Sequence, residues 1–130
     1  MEFKLTDEHK MIRDAARDFA QTELLPGVIE RDEKQIFPKE QIDKLGKLGF
    51  MGMMVDPKYG GAGMDTVSYV LAMEEISKID ASCSVVMSVN NSLVCWGLEN
   101  FGTEEQKEKY LKPLATGEKI GAFCLSEPEA

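Results

Sequence analysis

The stretch from Ser82 to Asn100 sets the terms for the whole chain. Val85, Val86, Met87, Val89, Leu93, Val94, Trp96 and Leu98 leave almost no polar face, and only Glu99 in that stretch is charged. A helix that is apolar nearly all round is buried on most sides, so other elements must surround it. Asn90, Asn91 and Ser92 sit in its middle. Polar side chains there need hydrogen-bond partners in a core, or must line a cavity that supplies them. Core hydrogen bonds are the simpler expectation, and a ligand wall is the alternative.

The rest of the chain supplies the surrounding helices. Met11, Ile12, Ala15, Ala16, Phe19 and Ala20 repeat at i, i+4 and i+8 in two adjacent rows, with Thr6 as N-cap and Asp7 and Glu8 at the positive end of the dipole. Pro26 and Gly27 interrupt this helix, which is expected to continue with a kink and end near Asp32. Pro38 suits the start of a second helix that aligns Ile42, Leu45 and Leu48 and stops at Gly49. Asp65 or Thr66 caps a third, which carries Val67, Val70, Leu71 and Ile76. Its Glu74 and Glu75 point about 100° apart, which suits a solvated or ion-paired face and not a shared catalytic task. The apolar stretch is the fourth helix. Thr103 to Gln106 forms a capping box for a fifth, which runs through Tyr110 and Leu111 towards Gly117 and is kinked or ended by Pro113. Ile120 to Leu125 reads as a short strand, broken by Ser126, Glu127 and Pro128. The expected fold class is all-α, five helices followed by the start of one strand, which cannot satisfy its backbone alone.

Composition narrows the function. A chain of 130 residues suits one domain, and its net charge of −8 argues against a basic nucleic-acid surface. No apolar run approaches the ~20 residues of a membrane span, and residues 1–20 lack the apolar core of a signal peptide, so the chain reads as intracellular. Cys83, Cys95 and Cys124 are odd in number and widely spaced, which suits buried free thiols and neither a disulfide framework nor a Cys-x-x-Cys site. His9 is the single histidine, placed in an exposed first helical turn, so no metal site is expected. The glycines of "KYGGAGMD" lack the G-x-G-x-x-G spacing of a dinucleotide fingerprint.

Four segments together resemble the N-terminal part of an acyl-CoA dehydrogenase: "PKYGGAGMD", "EEISKIDASCSVVMSVNNSL", "FGTEEQKEKYLKPLATGEKIGAF" and "CLSEPEA". They lie in the family's order over nearly the whole chain, and "MSVNNSL" is most similar to the short-chain, butyryl-type members. The resemblance implies a helical domain over residues 1–118 and, over residues 119–130, the start of a middle β-domain, with a further helical bundle beyond. It implies FAD as cofactor, oxidation of short-chain acyl-CoA to trans-2-enoyl-CoA, and delivery of the electrons to an electron-transfer flavoprotein by a homotetramer. Bacterial cytoplasm or mitochondrial matrix would be the compartment.

The same resemblance assigns Phe123, Leu125 and Ser126 to the flavin, with the Ser126 hydroxyl on the ring's N1–C2=O side, where negative charge collects on reduction. It assigns Val89 and Leu93, one helical turn apart, to the acyl pocket. The carboxylate that abstracts the substrate α-proton belongs to the family's C-terminal domain, so no catalytic residue is assigned in this chain, and the chain alone is expected to be inactive. Two rivals remain at this stage: an acyl-CoA oxidase of the same fold, and a non-enzymatic helical module that docks through its apolar fourth helix and final strand.

Overall fold

Four helix starts are fixed by side chains that accept a backbone N–H the helix cannot satisfy itself. Thr6 accepts from the His9 N–H, Asp65 from Ser68, Asp80 from Cys83 and Thr103 from Gln106. In the computed structural model, which describes residues 4–129, these caps open α1 (Asp7–Phe19), α4 (Thr66–Ser77), α5 (Ala81–Ser88) and α7 (Glu104–Gln106). The remaining helices are α2 (Val28–Glu33), α3 (Lys39–Lys47), α6 (Trp96–Phe101) and α8 (Lys112–Ala115). Three π-helical segments, unforeseen from periodicity, join or extend them: Ala20–Leu24 prolongs α1, Val89–Cys95 links α5 to α6, and Lys107–Leu111 links α7 to α8. Six continuous rods result among the described residues, all of them helical.

α1 packs chiefly on α4, α4 on α5, and α3 and α8 against the rod that begins at Ala81. The main core gathers Phe19, Leu24, Ile42, Leu45, Ile76 and Met87, and a second cluster joins Val55, Tyr59 and Cys95 to Leu111 and Leu114. The Ala81–Phe101 rod is long and apolar enough to cross a membrane by length and composition, with a mean hydropathy of 1.2. This corrects the expectation that no such stretch exists. It also serves as a core helix, although Val85, Leu93 and Trp96 are exposed, so the described residues cover only part of its apolar circumference.

Several expectations change for local physical reasons. Pro26 and Gly27 break the first helix outright, because Gly27 takes a left-handed φ of 77° and α2 restarts at Val28. Arg31 reaches back to serve the break, donating to Leu24 O (2.6 Å) and Pro26 O (2.9 Å) while pairing with Asp80 (3.0 Å). Pro113 does not stop the last rod, which runs on through α8 to Ala115, with the proline placed just after the π segment. Leu48 is exposed as the C-cap of α3, and α4 buries Tyr69, Ala72 and Ile76 while Val67 and Val70 face solvent. Residues 120–125 form no strand. They run without ladder bonds because no described neighbour offers an edge.

Glu75 is buried within α4 because cations meet it: Arg17 grips it with two bonds (3.0 and 3.1 Å) and Lys78 adds a third (3.0 Å). Arg17 first, then Lys78, hold its carboxyl down to about 2 against the opposing effect of burial. Asp65 is likewise lowered to about 2, by the Ser68 N–H and then by His9. His9 is not the exposed residue expected. Its side chain is 14% exposed, its Nδ1 accepts the Thr6 N–H (3.3 Å), and its Nε2 meets Asp65 Oδ2 at 2.9 Å, tying the start of α1 to the start of α4.

Both carboxyls titrate lower in the folded chain than their ordinary values near 4, so their stabilisation is complete above that range and lost as pH falls towards 2. The urea midpoint followed by circular dichroism should therefore fall between about pH 5 and pH 2. Glu75→Gln should lower stability at neutral pH and flatten that acid dependence, and an unchanged slope would contradict the assignment.

Candidate functional site

Asn90 and Asn91 are adjacent and both buried, as Glu75 and Ile76 are on α4. They lie in the π segment Val89–Cys95, and both side chains enter the core. Asn91 donates to Phe50 O and Met87 O and accepts the Met53 N–H, at 2.8–2.9 Å. Asn90 donates to Met51 O (2.7 Å) and Leu114 O (3.1 Å) and accepts the Gly121 N–H (2.8 Å). Ser92 returns its hydroxyl to Ser88 O. The core reading of this polar trio therefore holds over the ligand-wall alternative.

The bond to Gly121 brings the final segment across the rod, and a groove of about 450 Å³ opens beside it. Leu93, Val94 and Leu98 line it from the rod, Tyr110 from the next, and Ala122 and Phe123 from the final segment. No Asp or Glu lines it. A larger hollow of about 740 Å³, between α2 and the start of α5, includes Arg31 and Asp80 but none of the residues assigned from sequence.

The glycine loop before α4 spends its N–H groups internally. Ala62 N donates to Gly52 O (2.9 Å), Gly63 N to Val55 O (3.0 Å) and Met64 N to Met53 O (2.7 Å). A Cβ on Gly61 would lie 2.1 Å from Val55 O, so this glycine serves a close backbone approach and leaves no phosphate cradle. Tyr59 and Lys58 fasten the loop to Glu104 at the start of α7.

Residues 6–118 match the profile of the acyl-CoA dehydrogenase N-terminal domain. The chain belongs to the acyl-CoA dehydrogenase family. It is 47% identical over all its residues to the short-chain specific acyl-CoA dehydrogenase of Clostridium acetobutylicum, of which it covers 34%. A chain in the structure of the electron transferring flavoprotein of Acidaminococcus fermentans superposes with a TM-score of 0.96 at 48% identity, covering 100% of this chain and 34% of that one. A glutaryl-CoA dehydrogenase from Mycobacterium smegmatis in complex with FADH2 superposes with a TM-score of 0.91 at 36% identity, covering 97% of this chain and 32% of that one. The chain thus spans about a third of the length of these relatives.

Within this acyl-CoA dehydrogenase domain, the residues assigned from sequence are only partly brought together. Leu93 (45% exposed) and Phe123 (53% exposed) share the groove. Val89 is half-buried and off its lining, and Leu125 and Ser126 extend past it into solvent. Sequence reasoning missed the bond from Gly121 to Asn90, because nothing in the residue pattern pairs an amide with a backbone N–H thirty-one residues away. Its only signal was an Asn pair in the middle of a largely apolar stretch.

Among the described residues no group of three His, Cys, Asp or Glu could hold a metal. The cysteines divide, correcting the expectation of three buried thiols. Cys83 and Cys95 are buried and pushed up to about 12 by that burial, while Cys124 is exposed on the final segment. A disulfide reagent at neutral pH should therefore titrate one thiol per folded chain, and three in denaturant. Mass mapping should find the label on Cys124, and early labelling of Cys83 or Cys95 would contradict this packing.

Proposed function

We propose that this chain is the N-terminal helical domain of an FAD-dependent acyl-CoA dehydrogenase that converts short-chain acyl-CoA to trans-2-enoyl-CoA and passes the electrons to an electron-transfer flavoprotein. The observation that carries the reading is the 47% identity, over the full chain, to a short-chain specific member of the family. The similarity to a chain from the flavoprotein structure supports the electron acceptor, and the likeness to an FADH2-bound relative supports the cofactor.

The final segment fits a flavin in its chemistry. Residues 122–129 make no backbone hydrogen bond to other described residues, so the N–H and C=O groups of Phe123, Leu125 and Ser126 are free to pair with the polar edge of an isoalloxazine. Bound there, the flavin supplies the acceptor for the hydride that leaves the substrate β-carbon. The Ser126 hydroxyl donates to the pyrimidine edge. Leu93 and Phe123 give the groove an apolar wall for the acyl chain, while Val89, also assigned to the acyl pocket by the resemblance, lies one turn before Leu93 and off this lining. The α-proton goes to a carboxylate that the family resemblance places outside this chain. The intact enzyme is a homotetramer whose association uses mainly the helices that follow this domain in the family.

The test is a protein that joins this domain to the remaining length of the family, assayed with acyl-CoA substrates of graded chain length. Butyryl-CoA should be preferred, and electron-transfer flavoprotein should be reduced faster than dioxygen, whereas fast peroxide release in air would make the protein an oxidase. The 130-residue chain by itself should not turn over. Each methylene is worth only ~0.8 kcal/mol of burial, so chain length is chosen chiefly by steric exclusion. Leu93→Ala should accordingly shift kcat/KM about tenfold from butyryl-CoA towards hexanoyl-CoA. An unaltered chain-length profile would remove Leu93 from the pocket.

A further inference from the structure

We propose that Asn90 and Val94 are positioning residues that fix where the segment from Gly121 to Ser126 lies, Asn90 by holding it and Val94 by limiting its approach. The inference rests on the flavin and acyl roles just given to that segment and goes beyond them, since neither residue is assigned there.

The Asn90 side chain is fully buried and its orientation is not free. Its amide NH2 is committed to two carbonyls, Met51 O and Leu114 O, so Oδ1 must face Gly121. A flipped amide would set oxygen against two oxygens and NH2 against an N–H. Four residues on, Val94 meets the same glycine. A Cβ built on Gly121 would lie 2.8 Å from Val94 Cγ1 and 3.0 Å from its Cβ and Cγ2. Because valine carries two methyls on Cβ, every χ1 rotamer leaves at least one of them, and Cβ itself, close to that position. The carboxamide therefore pulls the backbone in, and the valine fixes how near it comes.

Gly121 also makes the last hydrogen bond that ties the segment to the rest of the described chain. Phe123 lies two residues further on and Ser126 five, so a displacement at Gly121 carries directly to both. An error of about 1 Å in a group that orients a reaction can cost a hundredfold in rate.

The experiment uses the protein that joins this domain to the remaining length of the family, in wild-type form and as Asn90→Ala, Gly121→Ala, Val94→Ala and the Gly121→Ala/Val94→Ala pair. Four quantities are measured: FAD retained per chain, the visible flavin spectrum, kcat and KM for butyryl-CoA, and the thermal midpoint. Gly121→Ala should lose roughly tenfold or more in kcat and should alter the flavin spectrum or its retention. Adding Val94→Ala should recover most of that loss while lowering the thermal midpoint further, because it deletes two packed methyls. A merely structural role predicts the reverse, with the pair worse than Gly121→Ala in every readout. A Gly121→Ala protein with native kcat and spectrum, or a pair that recovers nothing, would overturn the proposal.

If the wild type neither retained FAD nor oxidised acyl-CoA, the functional reading would fall by itself. Hydrogen exchange would then decide the anchor. A Gly121 amide protected in the wild type and exchanging at least tenfold faster in Asn90→Ala supports it, and one unprotected in the wild type overturns it. If Asn90→Ala does not fold, exchange in Gly121→Ala takes its place, with the backbone amide at the substituted position expected to lose protection and the proposal overturned if it does not.

Discussion

Two carboxamides set into an apolar helix let an irregular loop occupy the centre of this domain. Residues 48–56 have no helical or strand ladder of their own, yet Phe50, Met51 and Met53 are buried among the core side chains. Their backbone groups would be stranded there at about 1–3 kcal/mol each. Asn91 takes Phe50 O and Met53 N, and Asn90 takes Met51 O, so the loop completes its hydrogen bonding with side chains in place of water. The close approach of the glycine loop, the seat of α8 and the path of the final segment all follow from that arrangement.

Much of the fold was legible because it is written locally. Thr6, Asp65 and Thr103 announce their helices by the hydrogen bonds that a short polar side chain can offer its own next turn. The apolar rows of α1 and α3 give their buried faces at Ala16, Phe19, Ile42 and Leu45. What was not legible depends on contacts between distant parts of the chain. Periodicity placed Val67 and Val70 inside, but α4 turns Glu75 inward because Arg17, fifty-eight residues earlier, neutralises it. Pro26 was a visible interruption. Whether it would kink or break the helix turned on Arg31 being able to serve the freed carbonyls and on Asp80 being there to hold Arg31.

The site divides in the same way. Leu93 and Phe123 could be put together only through resemblance to a family, since composition gives no reason for a residue in the fourth helix to meet one near the end of the chain. The strand expected at residues 120–125 failed because a strand is a property of two segments, and a short apolar run in one of them says nothing about its partner. The π turn at Val89–Cys95 was invisible for a subtler reason: an apolar stretch without a polar face has no phase from which a change of pitch could be read.

That change of pitch makes the rod count its residues. Between Ala81 and Phe101 the helix carries the extra winding of a π segment, and the side chains on either side of it are registered to that surplus. Deleting a single residue from 89–95 would leave length and hydrophobicity almost untouched and would favour ordinary α-helical winding. Trp96 to Phe101 would then keep close to their present register, but one of the two asparagines would lose its place in the core. Loops usually absorb insertions and deletions while helices absorb substitutions. Here the irregular loop is pinned by its backbone, and the helix beside it forbids a change in number more strictly than a change in kind.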